Sequence, residues 1–357
     1  MLVWLDILTP KQVNFLGVLG SRLEARGHSV FRTTRRYKEV NELLQQKNIN
    51  AVSVGKHGGS SLEGKLTASA ERISRLSKMI NRLKPDLSVA FASPEAARTS
   101  FGLALPHYTI NDSPHSTAVA HLTIPLSSKL FSPSIISKRV WKKLGARQEM
   151  IVQYNALDPI GWLRTFIPNP AILSELKLDV SEPVVVFRLE ETFASYLLGR
   201  VPERESVTIP IINEIIENSE IPPQIVVLPR YLEQIKVLRG VFNNRVTVLR
   251  KVIDGPSLLF FASVFVGAGG TMTAEAALLG TPTISCFPRE PTIVEKYLIK
   301  KKLVDRENKP KKVGKKIQRI LADLENTRKT QREKARNLTS QMEDPIEVII
   351  REIESNA

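Results

Sequence analysis

The chain holds one cysteine, Cys286, in 357 residues. That excludes a disulfide framework and any cysteine-ligated zinc or iron–sulfur centre, and it fits a reducing compartment. Aromatic residues are scarce, at 13 Phe, 6 Tyr and 3 Trp. No run reads as a membrane span. The longest uncharged stretch, 255–274, is broken by Pro256, Ser257, Ser263 and four glycines, whereas a spanning helix needs about 20 mostly apolar residues. The first residues, MLVWLDI, lack a basic region and reach Asp6 at once, unlike a secretory signal. A cytoplasmic protein is therefore expected. The five histidines show no H-E-x-x-H spacing, and neither a G-x-S-x-G elbow nor a Walker Gly-Lys-Ser/Thr occurs. These absences speak against a metallohydrolase, a serine hydrolase and a P-loop enzyme, and neither metal nor cofactor is expected.

Apolar residues make up 42% of the chain, enough to build ordinary cores. There are 51 Lys+Arg against 36 Asp+Glu, a net charge of +15. The excess is concentrated: 300–336 carries fifteen Lys/Arg and five Asp/Glu. A solvated helical face is the plain reading, and an anionic membrane surface the sharper one. The segment has no Phe, Tyr or Trp to stack on bases, which points away from nucleic acid.

Short apolar runs alternate with helical patterns, the signature of parallel α/β sheets. Strands are predicted at 2–7, 29–33, 51–54, 87–91 and 107–110, with helices at 13–26, 61–83 and 95–101 between them. Pro159, Pro168 and Pro170 mark an interdomain connection over 158–181. The alternation then restarts, with strands at 184–187, 224–228, 245–249, 264–266 and 283–285, and helices at 207–218, 232–241, 257–262 and 273–279. The expected organisation is an N-terminal doubly wound domain over 1–157 and a second over 182–340. A helix within 341–357 would pack back on the first. Ligands of such sheets bind beyond the carboxyl ends of the strands, so the loops that follow strands are where chemistry is sought.

The most informative segment is Val264-Phe-Val-Gly-Ala-Gly-Gly-Thr-Met-Thr-Ala-Glu-Ala-Ala-Leu-Leu-Gly-Thr-Pro282. Gly269 and Gly270 let the backbone approach a ligand closely. Thr271 or Thr273 can cap the following helix, whose free N–H groups favour a phosphate. Glu275 can accept hydrogen bonds from a ribose diol. It is not the dinucleotide fingerprint, because position 272, where a third glycine would fall, is Met272. A tight turn with a carboxylate on the helix dipole is the structural alternative.

Gly269-Gly270-x-x-x-x-Glu275-Ala276-x-x-Leu279-Gly280-x-Pro282 resembles the nucleotide-binding signature of GT-B glycosyltransferases and of the related non-hydrolysing UDP-N-acetylglucosamine 2-epimerases. The resemblance implies two Rossmann-like domains facing a cleft, the second holding a nucleotide diphosphate-sugar, with a uridine base expected. Asp6-Ile-Leu-Thr-Pro-Lys-Gln12, Arg26-Gly27-His28 and Ser113-Pro114-His115 also resemble an archaeal GT-B-like family of unassigned function. The epimerases carry adjacent glutamates and a His-Arg pair after the first strand of the second half. This chain has one Glu275 and Phe187-Arg188. Glycosyl transfer is therefore the leading expectation, with a UDP-sugar 2-epimerase and a non-catalytic nucleotide-sugar binder as alternatives. GT-B acceptors are often lipid-linked, which gives the basic segment a reason.

In the first half, the loop Val54-Gly-Lys-His-Gly-Gly-Ser60 offers His57 as base or phosphate contact, and Asn111-Asp112-Ser-Pro-His115 offers Asp112 and His115, three apart on a turn, for proton transfer. Thr9 and Gln12 flank the start of the first helix and could meet an acceptor. Each has a plain alternative in a polar loop, an Asx turn or a helix start. Arg188 and Arg230 follow strands of the second half and could neutralise a leaving diphosphate. His28 reads as structural and His121, among apolar residues, as a core histidine.

Overall fold

The strand Val184–Arg188 shows why this chain builds parallel sheets. All five residues are buried; Val184 and Val186 join one apolar cluster, and Val185 and Phe187 join another. A strand apolar on both faces must be covered by helices on both faces. In the computed structural model, which describes residues 1–59, 61–190, 206–230 and 232–355, the chain divides into two units, Met1–Trp162 with Glu343–Ala357, and Leu163–Met342. The 158–181 segment is thus split: Trp162 ends the first unit, and Ile172 packs into a core of the second. Ser60 of the His57 loop lies outside the described residues.

The first unit runs β1 (Leu2–Ile7), α1 (Pro10–Ala25), β2 (Ser29–Arg36), α2 (Lys38–Gln46), β3 (Val52–Lys56), α3 (Leu62–Leu83), β4 (Leu87–Phe91), α4 (Pro94–Gly102), β5 (His107–Ile110), α5 (Thr117–Thr123), β6 (Lys129–Pro133), α6 (Lys138–Lys143) and β7 (Ile151–Tyr154). The turn α7 (Ile160–Leu163) leads onward. The sheet is parallel with order β3-β2-β1-β4-β5-β6-β7.

The second unit runs α8 (Ala171–Glu175), β8 (Val184–Arg188), α9 (Thr208–Asn218), β9 (Gln224–Leu228), α10 (Leu232–Phe242), β10 (Thr247–Val248), α11 (Gly255–Phe261), β11 (Val264–Gly267), α12 (Thr271–Leu278), β12 (Thr283–Ser285), α13 (Ile293–Lys300), β13 (Val304–Arg306), α14 (Pro310–Ala322) and α15 (Leu324–Thr339). Its sheet order, β10-β9-β8-β11-β12-β13, repeats that of the first without a counterpart of β7 and is again parallel. The last helix, α16 (Pro345–Glu354), returns to the first unit, where Ile346, Ile349, Ile350 and Ile353 are buried. Its carboxylates face cations of that unit: Arg22 reaches Asp344 at 2.6 Å, Arg26 reaches Glu347 at 2.6 Å, and Lys129 reaches Glu352 at 2.6 Å.

In both sheets the order of connection reverses beside the first strand, between β1 and β4 and between β8 and β11. Such a switch point opens a crevice at the carboxyl ends of the strands. Among the described residues, no helix is long and apolar enough to cross a membrane.

Candidate functional site

At the switch point of the second unit, Gly267 ends β11 opposite Arg188 of β8. The chain then turns through Gly269 (φ +85°) and Gly270 (φ +94°) into α12. Both angles lie where an L side chain is strained, and a Cβ on Gly269 would stand 3.0 Å from the Phe287 ring. The helix starts at Thr271, so Gly270 is the N-cap, and no side chain caps it. The sequence expectation that Thr271 or Thr273 caps this helix is thereby corrected: the two glycines carry the turn further round, placing the start two residues before 273. No acidic residue sits in the first turn. Thr273 N–H donates to the Gly270 carbonyl at 3.2 Å, and no side chain caps the N–H groups before it, so these and the helix dipole favour an anion.

The side chains around this turn reinforce that character. Thr273 is buried, and its hydroxyl has no hydrogen-bond partner among the described residues. A Cβ on Gly270 would meet Arg230 Nη2 at 3.2 Å, which puts that guanidinium against the turn. Arg230 Nε donates to the Leu189 carbonyl at 3.1 Å, and Arg188 Nη1 donates to the Pro229 carbonyl at 3.0 Å. The two arginines therefore cross-link the loops after β8 and β9. Glu275 lies on the fifth residue of α12 and is buried. Gly269, Gly270, Thr271, Glu275, Arg188 and Arg230 accordingly belong to one rim of one sheet.

The first unit treats its switch point differently. Asp6, at the end of β1, receives both Nη atoms of Arg72 (3.0 and 2.5 Å), the Thr33 hydroxyl (2.6 Å) and the Ser93 hydroxyl (2.7 Å). Burial works to raise the Asp6 pKa, but Arg72 and these donors outweigh it and hold the carboxyl below its ordinary value. Asp6 and Arg72 are each 1% exposed. Ser93 also caps α4 by accepting from Ala96 N–H, with Glu95 in the first turn. The helix that corresponds to α12 is thus satisfied by its own side chains.

Beyond this plug, the start of α1 meets the loops after β5 and β7. Lys11 Nζ lies 2.6 Å from Asp112 and 2.6 Å from Asp158. The Tyr154 hydroxyl donates to Asp158 (2.6 Å), and the Ser113 hydroxyl donates to Asp112 (2.8 Å). One cation thus serves two carboxylates. Burial, and then the charge of Asp112, push Asp158 up to about 6 against the pull of Lys11. Burial also works to raise Asp112, but Lys11 and Ser113 outweigh it and hold Asp112 below its ordinary value. Asp158 has no exposed side chain, whereas Asp112 keeps 22%. The pair is therefore an outer carboxylate that ionises readily and an inner one that holds its proton up to about 6. His115 stands close enough to feel the Asp112 charge, yet burial lowers its pKa.

The remaining candidates separate. Gln12 is buried, accepting from Leu8 N–H (2.6 Å) and donating to the Phe91 carbonyl (3.1 Å), so its amide ties two strand ends together instead of facing an acceptor. Thr9 precedes α1 in extended conformation without capping it. His57 stacks on Tyr37 at 5.0 Å and accepts from Gly59 N–H. It follows β3, four strand positions from β5, roughly 19 Å at the usual spacing; the structure does not group it with Asp112 and His115. His121 is exposed. The core histidine is His107, which burial holds down to about 4. Lys11, Asp158 and Tyr154 escaped sequence reading, since nothing local marks a contact between positions 11, 112 and 158.

Among curated proteins, the chain is 32% identical over 304 residues to "Uncharacterized protein MJ0665" of Methanocaldococcus jannaschii, spanning 84% of this chain and 85% of that one. Among solved structures it is similar to the S. aureus MnaA–UDP co-structure, at 13% identity and TM-score 0.76, covering 99% of this chain and 96% of that one. The UDP-GlcNAc 2-epimerase of Methanocaldococcus jannaschii, in complex with UDP-GlcNAc and UDP, is 16% identical with TM-score 0.73, covering 99% and 100%. The glycosyltransferase VinC, in complex with DTDP, is 13% identical with TM-score 0.59, covering 99% of each chain. At these identities the likeness shows the fold, a GT-B-like pair of parallel-sheet units. A family model described as "Protein of unknown function (DUF354)" matches residues 1–356, and the chain belongs to that family.

Proposed function

We propose that this protein is an enzyme acting on a nucleotide diphosphate-sugar, with UDP as the expected nucleotide. The carrying observation is the uncapped N-terminus of α12 at the switch point of the second sheet, with the Thr273 hydroxyl buried beneath it and Arg230 beside it. In this reading Gly269, Gly270 and Thr271 hold the diphosphate through backbone N–H groups, and Glu275 takes the ribose hydroxyls. Arg188 and Arg230 stabilise the leaving diphosphate. Similar structures named as UDP or UDP-sugar complexes support the ligand class.

The reaction we favour is metal-independent glycosyl transfer. Asp112, the more accessible carboxylate of the pair, accepts the acceptor's proton as the new bond to the sugar forms and the diphosphate leaves. Lys11 and Asp158 hold Asp112 in place, and His115 lies within its field. Phe187 is fully buried in an apolar cluster, so no imidazole stands where the epimerases carry theirs. A second reading, 2-epimerisation, is favoured by the pair itself, since neighbouring carboxylates of unlike proton affinity suit removal and return of a proton at one carbon. A cytoplasmic location belongs to the same proposal.

Calorimetry with UDP, GDP, ADP and TDP, followed by incubation with UDP-N-acetylglucosamine alone, tests the reading. UDP binding without conversion of the sugar supports transfer, and a second sugar epimer appearing without acceptor supports the epimerase. Failure of all four nucleotides to bind at millimolar concentration would sink both.

A further inference from the structure

Between 300 and 319 the chain has ten Lys/Arg and two carboxylates. The structure separates these cations from those that follow. Arg328 donates to the carbonyls of Phe261 and Ala262 at 2.6 and 2.7 Å, and Arg332 lies 4.8 Å over the Phe260 ring. The arginines of α15 thus hold the carboxyl end of α11, where free carbonyls favour positive charge. The earlier lysines have no such task. Lys300, Lys301 and Lys302 are exposed where α13 ends, and Lys309 is exposed just before α14. Lys311, Lys312, Lys315 and Arg319 are exposed on α14, whose other side buries Val313, Gly314, Ile317 and Leu321.

Lys316 pairs with Asp305 of β13, the edge strand of the sheet, so its charge is compensated. The buried side of α14 packs on α9, and Lys311, Lys312, Lys315 and Arg319 share its opposite, outward side. The second carboxylate, Glu307, is turned to the backbone, accepting from the Asn308 and Lys309 N–H groups. None of the exposed cations named on α13 and α14 makes an ion pair among the described residues.

We infer that this lysine face is a docking surface for an anionic phospholipid membrane. Protection of the sheet edge against strand pairing accounts for a few cations at most. β13 has only three residues, and the outer face of α14 does not border it as a strand would. Nucleic acid fits less well, because 300–336 contains no aromatic side chain for base stacking. Lysine ammoniums on long stems suit a diffuse layer of headgroup phosphates, where each contributes about fivefold to partitioning and no helix need insert. The inference rests on charge in the second unit alone and stands or falls separately from the nucleotide site.

The test is sedimentation of the full chain with vesicles of phosphatidylcholine alone or with about 30% phosphatidylserine. It is run at about 0.1 M and about 1 M salt, where the screening length falls from roughly 10 Å to 3 Å. Binding should require phosphatidylserine and vanish at high salt. The variant Lys311→Gln/Lys312→Gln/Lys315→Gln should bind roughly a hundredfold more weakly. Lys138→Gln/Arg139→Gln/Lys142→Gln removes the same charge from exposed positions on α6 and should bind as the parent does. Circular dichroism establishes that both variants fold. Absent binding, equal loss in both variants, or preference for single-stranded RNA over vesicles would overturn the inference.

Discussion

The two sheets share one strand order, yet their switch points are finished in opposite ways. In the first, Asp6, Arg72, Thr33 and Ser93 fill the position with a buried ionic network, and Ser93 caps the helix that follows. In the second, the matching helix begins at a glycine with positive φ, no cap and no acidic residue in its first turn. The difference is between a closed crevice and one whose donors remain to be used. Ionisable chemistry in the first unit is displaced to the loops after β5 and β7, where Lys11, Asp112 and Asp158 meet. One copy of the architecture thus gathers ionisable side chains, and the other leaves a helix N-terminus without a side-chain cap.

The contrast breaks most visibly if the plug is opened. Arg72→Leu leaves the Asp6 carboxylate buried without its cation, and loss of about 3–5 kcal/mol is expected in denaturant melts. Restoring neutrality with Asp6→Asn in the same chain should recover part of it. No recovery would mean that Arg72 acts through packing alone.

Next in size is a pH effect of two buried groups in the first unit. His107 stays neutral in the fold down to about 4, whereas an unfolded histidine protonates near 6.5. The unfolded chain takes the proton first, so stability falls as pH drops from 6.5 to 4. Asp158 runs the other way. The fold keeps its proton up to about 6, while the unfolded carboxyl ordinarily titrates at 3.8, so stability rises as pH drops through that window. Each contribution is about 3 kcal/mol, and they offset. Asp158→Asn removes only the second, so its melting temperature should fall between pH 6.5 and 4.5 more steeply than the parent's. Parallel profiles would contradict the assignment.

A smaller change sharpens the contrast from the other side. Gly270→Ala forces a side chain into φ +94° and should cost about 1–2 kcal/mol. Its counterpart Ser93→Ala, which removes a cap, should cost about 1 kcal/mol. The stability losses are similar, but only the glycine variant should weaken nucleotide binding. Glu275→Gln should reduce UDP affinity by roughly tenfold, as expected for one hydrogen bond to a charged group.

The glycine turn was legible in the sequence because glycine and the strand before it are local signals, and the alternation marked most strands of both sheets. The unread elements were short or lacked a clear period: β6, β7 and β13 have three to five residues each. The helix start was misplaced by two residues because the conformations of Gly269 and Gly270, not the threonines, decide where helical bonding begins. The Lys11 cluster was unreadable for a deeper reason. Its members come from the start of α1 and the loops after β5 and β7, which only sheet order brings together, and a lysine shared by two aspartates has no signature in sequence. Gln12 was misread because its amide is consumed by Leu8 and Phe91, a pairing that exists only once β1 and β4 lie side by side.

The central claim is that nucleotide holding belongs to the turn before α12 and proton handling to the Lys11 cluster. It is tested most directly by titrating UDP into the parent protein, Gly270→Ala and Asp112→Asn in parallel by calorimetry. The account predicts binding by the parent and by Asp112→Asn with equal affinity, and a loss of tenfold or more in Gly270→Ala, about 1.4 kcal/mol. Unchanged binding in Gly270→Ala, or loss of binding in Asp112→Asn, would contradict it.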